Sequence, residues 1–239
     1  MEREEYTAET YPSFGKKYNG EKAIISLTSW KARINTVSKT IFSLIKQCPG
    51  FHIVLVLSEE EFPKMMDELP DNLMLFVNNE MVEILWVYKN YKAFKKVLFT
   101  MDKYRTVPVI SADDDCVYTC NYAQLLYNDW TENKDTIIAH EIHKDKFFIW
   151  ASGGIGVIFP PNCFKDKGIK NLNSTILKTN HDDMFFGVLA KKLDISFIKC
   201  KARIFKKIAI GRKESFQGMG YKKQYHDKDE VIIFRNLKV

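Results

Sequence analysis

Residues 52–61 read His52-Ile53-Val54-Leu55-Val56-Leu57 and then Ser58-Glu59-Glu60-Glu61. The apolar run predicts a β-strand. The acids behind it predict a helix reaching to near Pro70, because carboxylates are favoured at the positive N-terminal end of a helix. The same pairing recurs on both sides. Upstream, Ala23 to Leu27 is a short apolar run that predicts a buried strand, and Val37, Ile41, Leu44 and Ile45 recur at the spacing of a helix with one core face, closed by Pro49-Gly50. Downstream, Met81 to Val87 predicts a third strand, Phe94, Val97, Leu98 and Met101 a further helix, and Val107 to Ser111 a fourth strand. Pro108 argues against a central position for that strand. Such alternation predicts right-handed βαβ crossovers: an α/β, Rossmann-like domain whose mostly parallel central sheet carries helices on both faces. Ligands then bind beyond the carboxyl ends of the strands, near Thr28, Ser58, Asn90 and Asp113 to Asp115.

The chain has 239 residues, 36 Lys+Arg against 30 Asp+Glu, and a net charge of +6. That length suits one domain with a full core. Between Lys199 and Lys223 nine basic residues face one acid, a local +8 that leaves the remaining chain at −2. A coat of charge for nucleic acid is thereby excluded, and no RNA-binding signature or zinc finger is present, so no nucleic-acid partner is expected. The expected organisation is a polar N-terminal extension at 1–20, the α/β domain at 21–198 and a basic segment at 199–239 that serves as a lid or a membrane-contacting flank. The five cysteines are odd in number and form no C-x-x-C pair, which points to reduced, buried thiols of a cytoplasmic protein. Met1 to Gly20 has no apolar core of a signal peptide. Phe147 to Phe164 runs eighteen residues without a charge, but Gly153, Gly154, Gly156, Pro160 and Pro161 break any spanning helix; two strands around a glycine turn are expected instead.

Asp113-Asp114-Asp115 follows the fourth strand directly and is followed by the apolar Cys116-Val117-Tyr118. Adjacent carboxylates at a strand end repel one another, and a divalent cation relieves that repulsion; hard oxygen ligands suit Mn²⁺ or Mg²⁺. In an extended segment Asp113 and Asp115 would share a face, with Asp114 turned away. The bland alternative is a solvated acidic turn.

The run ISADDDCVY (110–118) resembles the Asp-x-Asp site of nucleotide-sugar-dependent glycosyltransferases of the GT-A fold. The resemblance extends over SLTSW with Lys31 and Arg33, VLVLSEEEFP, ILWVYKNYKAFKK, SGGIGVIFPP and HDDMFFGVLAKKLDI, an order similar to bacterial glycosyltransferases of capsule and lipopolysaccharide assembly. It implies that Asp115, with Asp113 nearby, holds a metal that bridges the donor diphosphate. Asp113 or Asp114 would also contact ribose or sugar. It further implies a carboxylate base at the start of the helix after His181, with Asp183 the first candidate and Asp182 the second, and inversion at the anomeric carbon. Asp182 and Asp183 could equally be acids of a first helical turn, and either could bind an acceptor hydroxyl. Thr28, Arg33 and Asn90 fall where this fold holds the nucleotide, and Gly154 where backbone approaches the sugar. Lys96 could reach the diphosphate, although Lys92, Lys95 and Lys96 also read as a solvated face. His226, in a polar loop-like stretch, would complete the metal site or be a surface histidine. The implied partners are a nucleotide-sugar, UDP-linked by first choice, a glycan or lipid-linked glycan acceptor, and an anionic membrane on the cytoplasmic side.

Two other classes compete. A sugar-phosphate nucleotidyltransferase shares the architecture, but opens on a glycine-rich basic loop, whereas SLTSWKARI contains no glycine. A non-catalytic module docking through its basic segment would have no use for the carboxylates.

Overall fold

The computed structural model describes residues 10–144, 146–165, 167–170, 181–201 and 208–209. Strand β1 (Ser13–Gly15) precedes the first anticipated strand, β2 (Ala23–Thr28). Then come α1 (Val37–Ile45), β3 (Phe51–Ser58), α2 (Asp71–Asn78), β4 (Glu83–Val87), α3 (Lys95–Lys103) and β5 (Val109–Ser111). The second half contributes β6 (Cys116–Val117), α4 (Tyr122–Thr131), β7 (Ile137–Ala139), β8 (Ile142–Lys144), β9 (Ile149–Ala151) and β10 (Val157–Phe159). Helices α5 (Lys167–Lys170) and α6 (Asp182–Lys192) and strands β11 (Phe197–Lys199) and β12 (Ile208–Ala209) complete the order.

Eight strands form the central sheet in the order β1-β4-β3-β2-β5-β10-β7-β11. β2 is parallel to β3 and β5, β3 to β4 and β7 to β11, while β1 and β10 run against their neighbours. The sheet is therefore mostly parallel, as expected. β3 and β4 stack on one side of β2 and β5 lies on the other, so the order reverses between β2 and β5. In an open α/β sheet that reversal opens a crevice beyond the strand ends. The sequence places Thr28-Ser29 at one lip and Asp113 to Asp115 at the other. β5 is central despite Pro108, because the proline sits ahead of the strand and offers its carbonyl to the Ile24 amide at 3.0 Å.

Period-two alternation divides the core into two layers. Ile24, Val54, Val56, Leu85, Val87 and Val109 face α3 and α6, while Ile25, Leu27, Leu55, Leu57, Trp86 and Ile110 face α1, α2 and α4. Because helices cover both faces, every residue of β3 and β4 is buried, which is why these strands are continuous apolar runs rather than alternating ones.

Three expectations need correction. No helix starts at Glu59: residues 59–61 form a turn, Met65–Glu68 is a short 3-10 segment, and α2 begins only after Pro70. Pro63 and Pro70 bracket that segment, and the residue before a proline is pushed away from helical backbone; Leu69 is extended accordingly, at ψ 139°. The two strands expected around the glycine turn are present as β9 and β10, but they are not neighbours: β9 pairs with β8 in a separate two-stranded sheet while β10 joins β5 and β7. Of the cysteines, Cys116 and Cys200 are buried as expected, but Cys48 and Cys120 are exposed. The edge strand β1 also shows that the sheet starts within the anticipated extension. Among the described residues no helix is long and apolar enough to cross a membrane.

At the opposite end of the sheet from the carboxylates, the Glu83 carboxylate is 2% exposed and accepts from Lys103 Nζ at 2.7 Å and the Tyr104 hydroxyl, with His52 Nε2 at 2.6 Å. Burial alone would raise this carboxyl, but the bonds from His52, Lys103 and Tyr104 outweigh it and hold the group below its usual range. A depressed folded pKa means that the stabilisation is complete above the ordinary glutamate value of about 4.3 and is lost as pH falls through the lower folded value. Urea midpoints compared at pH 7 and pH 3.5 should therefore fall on acidification in the native chain, with a shallower fall in Glu83→Gln. Parallel acid limbs would contradict this assignment.

Candidate active site

The turn after β5 distributes its three carboxylates between two cations. Arg33 lies just before α1 and reaches Asp114 Oδ1 at 2.6 Å and Asp115 Oδ2 at 2.9 Å. Asp114 is buried and also accepts from Ser29 Oγ at 2.6 Å, while its backbone carbonyl accepts from Thr40 Oγ1 at 2.8 Å. Burial pushes the Asp114 carboxyl up, and Arg33 and Ser29 only partly oppose this, leaving it at about 6. Asp113 faces the other way, with Lys96 Nζ 2.8 Å from its Oδ1. The expected alternation thus fails. Residues 114–115 form a turn rather than a strand, so Asp114 and Asp115 share one guanidinium and Asp113 stands apart. Asp113 and Asp115 retain 35% and 22% side-chain exposure, against 1% for Asp114, so these two are the members that a ligand can reach.

Lys96 is buried on the first turn of α3 and does not belong to a solvated face. Besides Asp113 it pairs with Asp182 Oδ2 at 3.3 Å. Burial would depress this ammonium, but Asp113, Asp182 and Asp183 together hold it well above the ordinary lysine value. Asp182 and Asp183 open α6, and Asp183 Oδ1 accepts the Gly153 amide at 3.0 Å. Part of Asp183 remains open to solvent, yet its carboxyl is densely surrounded. Burial first, then repulsion from Asp182, raises its pKa well above the usual range, despite the attraction of Lys96. A carboxylate poised in this direction is suited to accept a proton near neutrality.

The glycine turn fixes this carboxylate. Gly153 donates its N–H to Asp183 and its carbonyl accepts from Ser111 Oγ at 3.0 Å, so β5 and α6 are joined through one residue. A Cβ at Gly153 would lie 2.8 Å from Asp183 Oδ1. Gly153→Ala should therefore displace the carboxylate and lower turnover by about 10²-fold, the scale of a misplacement near 1 Å, with an unchanged thermal unfolding curve. Full turnover in this variant would show that the contact is dispensable.

The remaining candidates lie around this centre. Thr28 Oγ1 donates to Val56 O at 2.7 Å, tying the ends of β2 and β3. Asn90 Oδ1 accepts from Lys95 Nζ at 3.1 Å and from the Lys92 amide at 2.9 Å, and the Asn90 amide donates to Glu60 Oε2 at 2.7 Å. Gly154 is buried, and its carbonyl accepts from the Tyr118 hydroxyl at 3.0 Å. His226, Lys206 and Lys207 lie outside the described residues.

Several supporting residues have no sequence signal of their own. The Tyr118 hydroxyl accepts the Asp113 amide at 2.8 Å while donating to Gly154, so one phenol clamps the carboxylate turn to the glycine turn. Ser29 and Thr40 hold Asp114 in the same manner. Lys95 is also buried, its ammonium 3.7 Å from Glu61, and burial depresses its pKa to about 8. Its pairing with Asn90 shows that the lysine run stabilises the loop after β4.

No protein-family model and no curated protein sequence matches the chain. Among solved structures, the crystal structure of S. aureus TarS 1-349 is similar, with a TM-score of 0.53 and 12% sequence identity. The likeness covers 91% of this chain and 66% of that one. At that identity the comparison speaks to fold alone: the chain has a GT-A-type glycosyltransferase fold.

Proposed function

We propose that the protein is a metal-dependent glycosyltransferase that moves one sugar from a nucleotide-sugar, UDP-linked by first choice, to a hydroxyl of a bacterial surface glycan or lipid-linked glycan, with inversion. The observation that carries this reading is the Asp113–Lys96–Asp182 chain. It joins the carboxylates expected to face a donor diphosphate to the helix start that bears Asp183. Asp113 and Asp115 fit a hard divalent ion, since both stay accessible at the strand end. Among the described residues no three His, Cys, Asp or Glu side chains form a ready-made cage. An ion with one or two protein carboxylates that completes its shell from substrate phosphates and water is the usual mode for Mg²⁺. When bound, Mn²⁺ or Mg²⁺ supplies Lewis-acid charge against the departing diphosphate.

The chain's own groups do the rest. Asp183 takes the proton of the acceptor hydroxyl. The oxygen forms a bond to the anomeric carbon from the face opposite the diphosphate, and the carbon–oxygen bond to the diphosphate breaks with its electron pair leaving on phosphate. Lys96, held charged by its three carboxylates, places a cation beside Asp113 where that negative charge develops. Arg33 orients Asp115 directly, with its other guanidinium nitrogen on Asp114. Thr28 and Asn90 are proposed to border the nucleotide, and Gly154 the sugar.

The test is a panel of UDP-, GDP- and CMP-sugars assayed for Mn²⁺-dependent hydrolysis and for binding. One donor class should be bound and slowly hydrolysed. Silence across the panel with and without metal, in binding as well as hydrolysis, would overturn the reading. The basic segment is proposed to contact either the donor phosphates or an anionic membrane near a lipid-linked acceptor. Neutralising Lys206 and Lys207 should abolish binding to phosphatidylglycerol liposomes with donor affinity intact if the membrane role holds, and weaken donor affinity if it does not.

A further inference from the structure

The β8–β9 hairpin stands outside the central sheet and lies directly on α6. At Gly187 a Cβ would be 2.4 Å from Ile149 O and 2.7 Å from Trp150 Cβ, so the hairpin backbone touches the helix that carries Asp182 and Asp183. Only Ser152 separates the end of β9 from Gly153, the amide partner of Asp183. At this junction three polar side chains converge. His143 Nε2 is 2.8 Å from Ser152 Oγ and 3.4 Å from Glu141 Oε1, and the Ser152 amide donates to Glu141 O at 3.2 Å. The imidazole is stacked on its cross-strand partner Trp150, with ring centroids 5.4 Å apart and planes at 23°, which fixes its orientation. Trp150 is buried, whereas the His143 and Glu141 side chains are 35% and 44% exposed. The hairpin therefore puts its apolar residue into the core and offers its polar groups to solvent beside the proposed base.

We propose that Glu141, His143 and Ser152 form a subsite for neighbouring hydroxyls of a neutral sugar, the acceptor of the reaction proposed above, on which this assignment rests. A carboxylate accepts from hydroxyls, an imidazole either donates or accepts, and a serine hydroxyl does both. That set matches a polyol, whose every group is at once donor and acceptor. It does not match a phosphate, which the Glu141 carboxylate would repel. An aromatic backing and a few fixed polar groups are the usual composition of a small-molecule site. A sugar held at Ser152 lies one residue from the amide that positions Asp183.

Saturation-transfer NMR with methyl β-D-glucopyranoside, methyl β-D-galactopyranoside and methyl N-acetyl-β-D-glucosaminide tests the subsite, with UDP affinity in Mn²⁺ measured on the same samples. At least one glycoside should be saturated by the native chain. Its affinity should fall about tenfold or more in His143→Ala and in the isosteric Glu141→Gln, the loss expected for one or two hydrogen bonds to a polar ligand. UDP affinity should stay within about twofold, because neither residue touches the carboxylate turn. Unchanged glycoside affinity in both variants, or no saturation of any of the three by the native chain, would overturn the subsite. Loss of UDP binding in the native chain would instead overturn the donor reading while leaving the glycoside result to be judged separately.

Discussion

Asp183→Asn is expected to lower sugar transfer by about 10²–10⁴-fold, the contribution of a positioned general base, while donor affinity changes little. The amide keeps an oxygen for the Gly153 N–H, so the glycine turn stays in place, but it cannot take a proton. In the native chain, burial and Asp182 raise the Asp183 pKa and Lys96 opposes them. The pH profile of transfer should accordingly show an acid limb well above the ordinary carboxylate range, as activity is lost when Asp183 becomes protonated. Single-turnover rates with the donor class found active, measured across pH in Asp183→Asn and Asp182→Asn, separate the two carboxylates. Full activity in Asp183→Asn with a collapse in Asp182→Asn would move the base by one residue.

Arg33→Ala is expected to destabilise the fold by about 3–5 kcal/mol, the cost of leaving a buried charge without its partner. Among the described residues Arg33 is the cation within ion-pair distance of Asp114, and it serves Asp115 as well. Its loss leaves Asp114 with the Ser29 hydroxyl inside a turn that is buried on one side by Ala112 and on the other by Cys116. Asp114→Asn in the same background should recover part of the loss, since a neutral amide carries a smaller desolvation penalty. Equilibrium urea denaturation of the two single variants and the double variant yields the coupling. Additive effects, or a loss below about 1 kcal/mol in Arg33→Ala, would show that the pair is a surface-grade contact.

The architecture was legible because two physical periods were clean. β2 to β5 are apolar runs of strand length separated by helical spacing, and burial on both faces leaves few polar residues to confuse them. That the carboxylate triplet needs a neutralising partner was legible too, since three carboxylates cannot follow a buried strand unless something neutralises them. What neutralises them was not legible. Arg33 precedes Asp114 by 81 positions and Lys96 precedes Asp113 by 17, and nothing local in the sequence links them. The lysine run misled because helical spacing alone does not say which face is buried: α3 packs under the strand ends and takes Lys95 and Lys96 inside, each onto carboxylate or carbonyl oxygens. The acids after β3 misled for a different reason. They carry the charge signature of a helix start, but Pro63 and Pro70 decide the backbone. Likewise the two strands around the glycine turn were legible, but not that they belong to different sheets.

The central claim is that the carboxylates after β5 bind a donor diphosphate through a divalent ion. Isothermal titration of the active nucleotide-sugar, with and without Mn²⁺, tests it most directly in the native chain and in Asp115→Asn. The account predicts that Mn²⁺ strengthens donor binding by about tenfold or more, about 1.4 kcal/mol, and that Asp115→Asn abolishes this gain while retaining the metal-free affinity. Equal affinity with and without Mn²⁺, or an undiminished gain in Asp115→Asn, would contradict it.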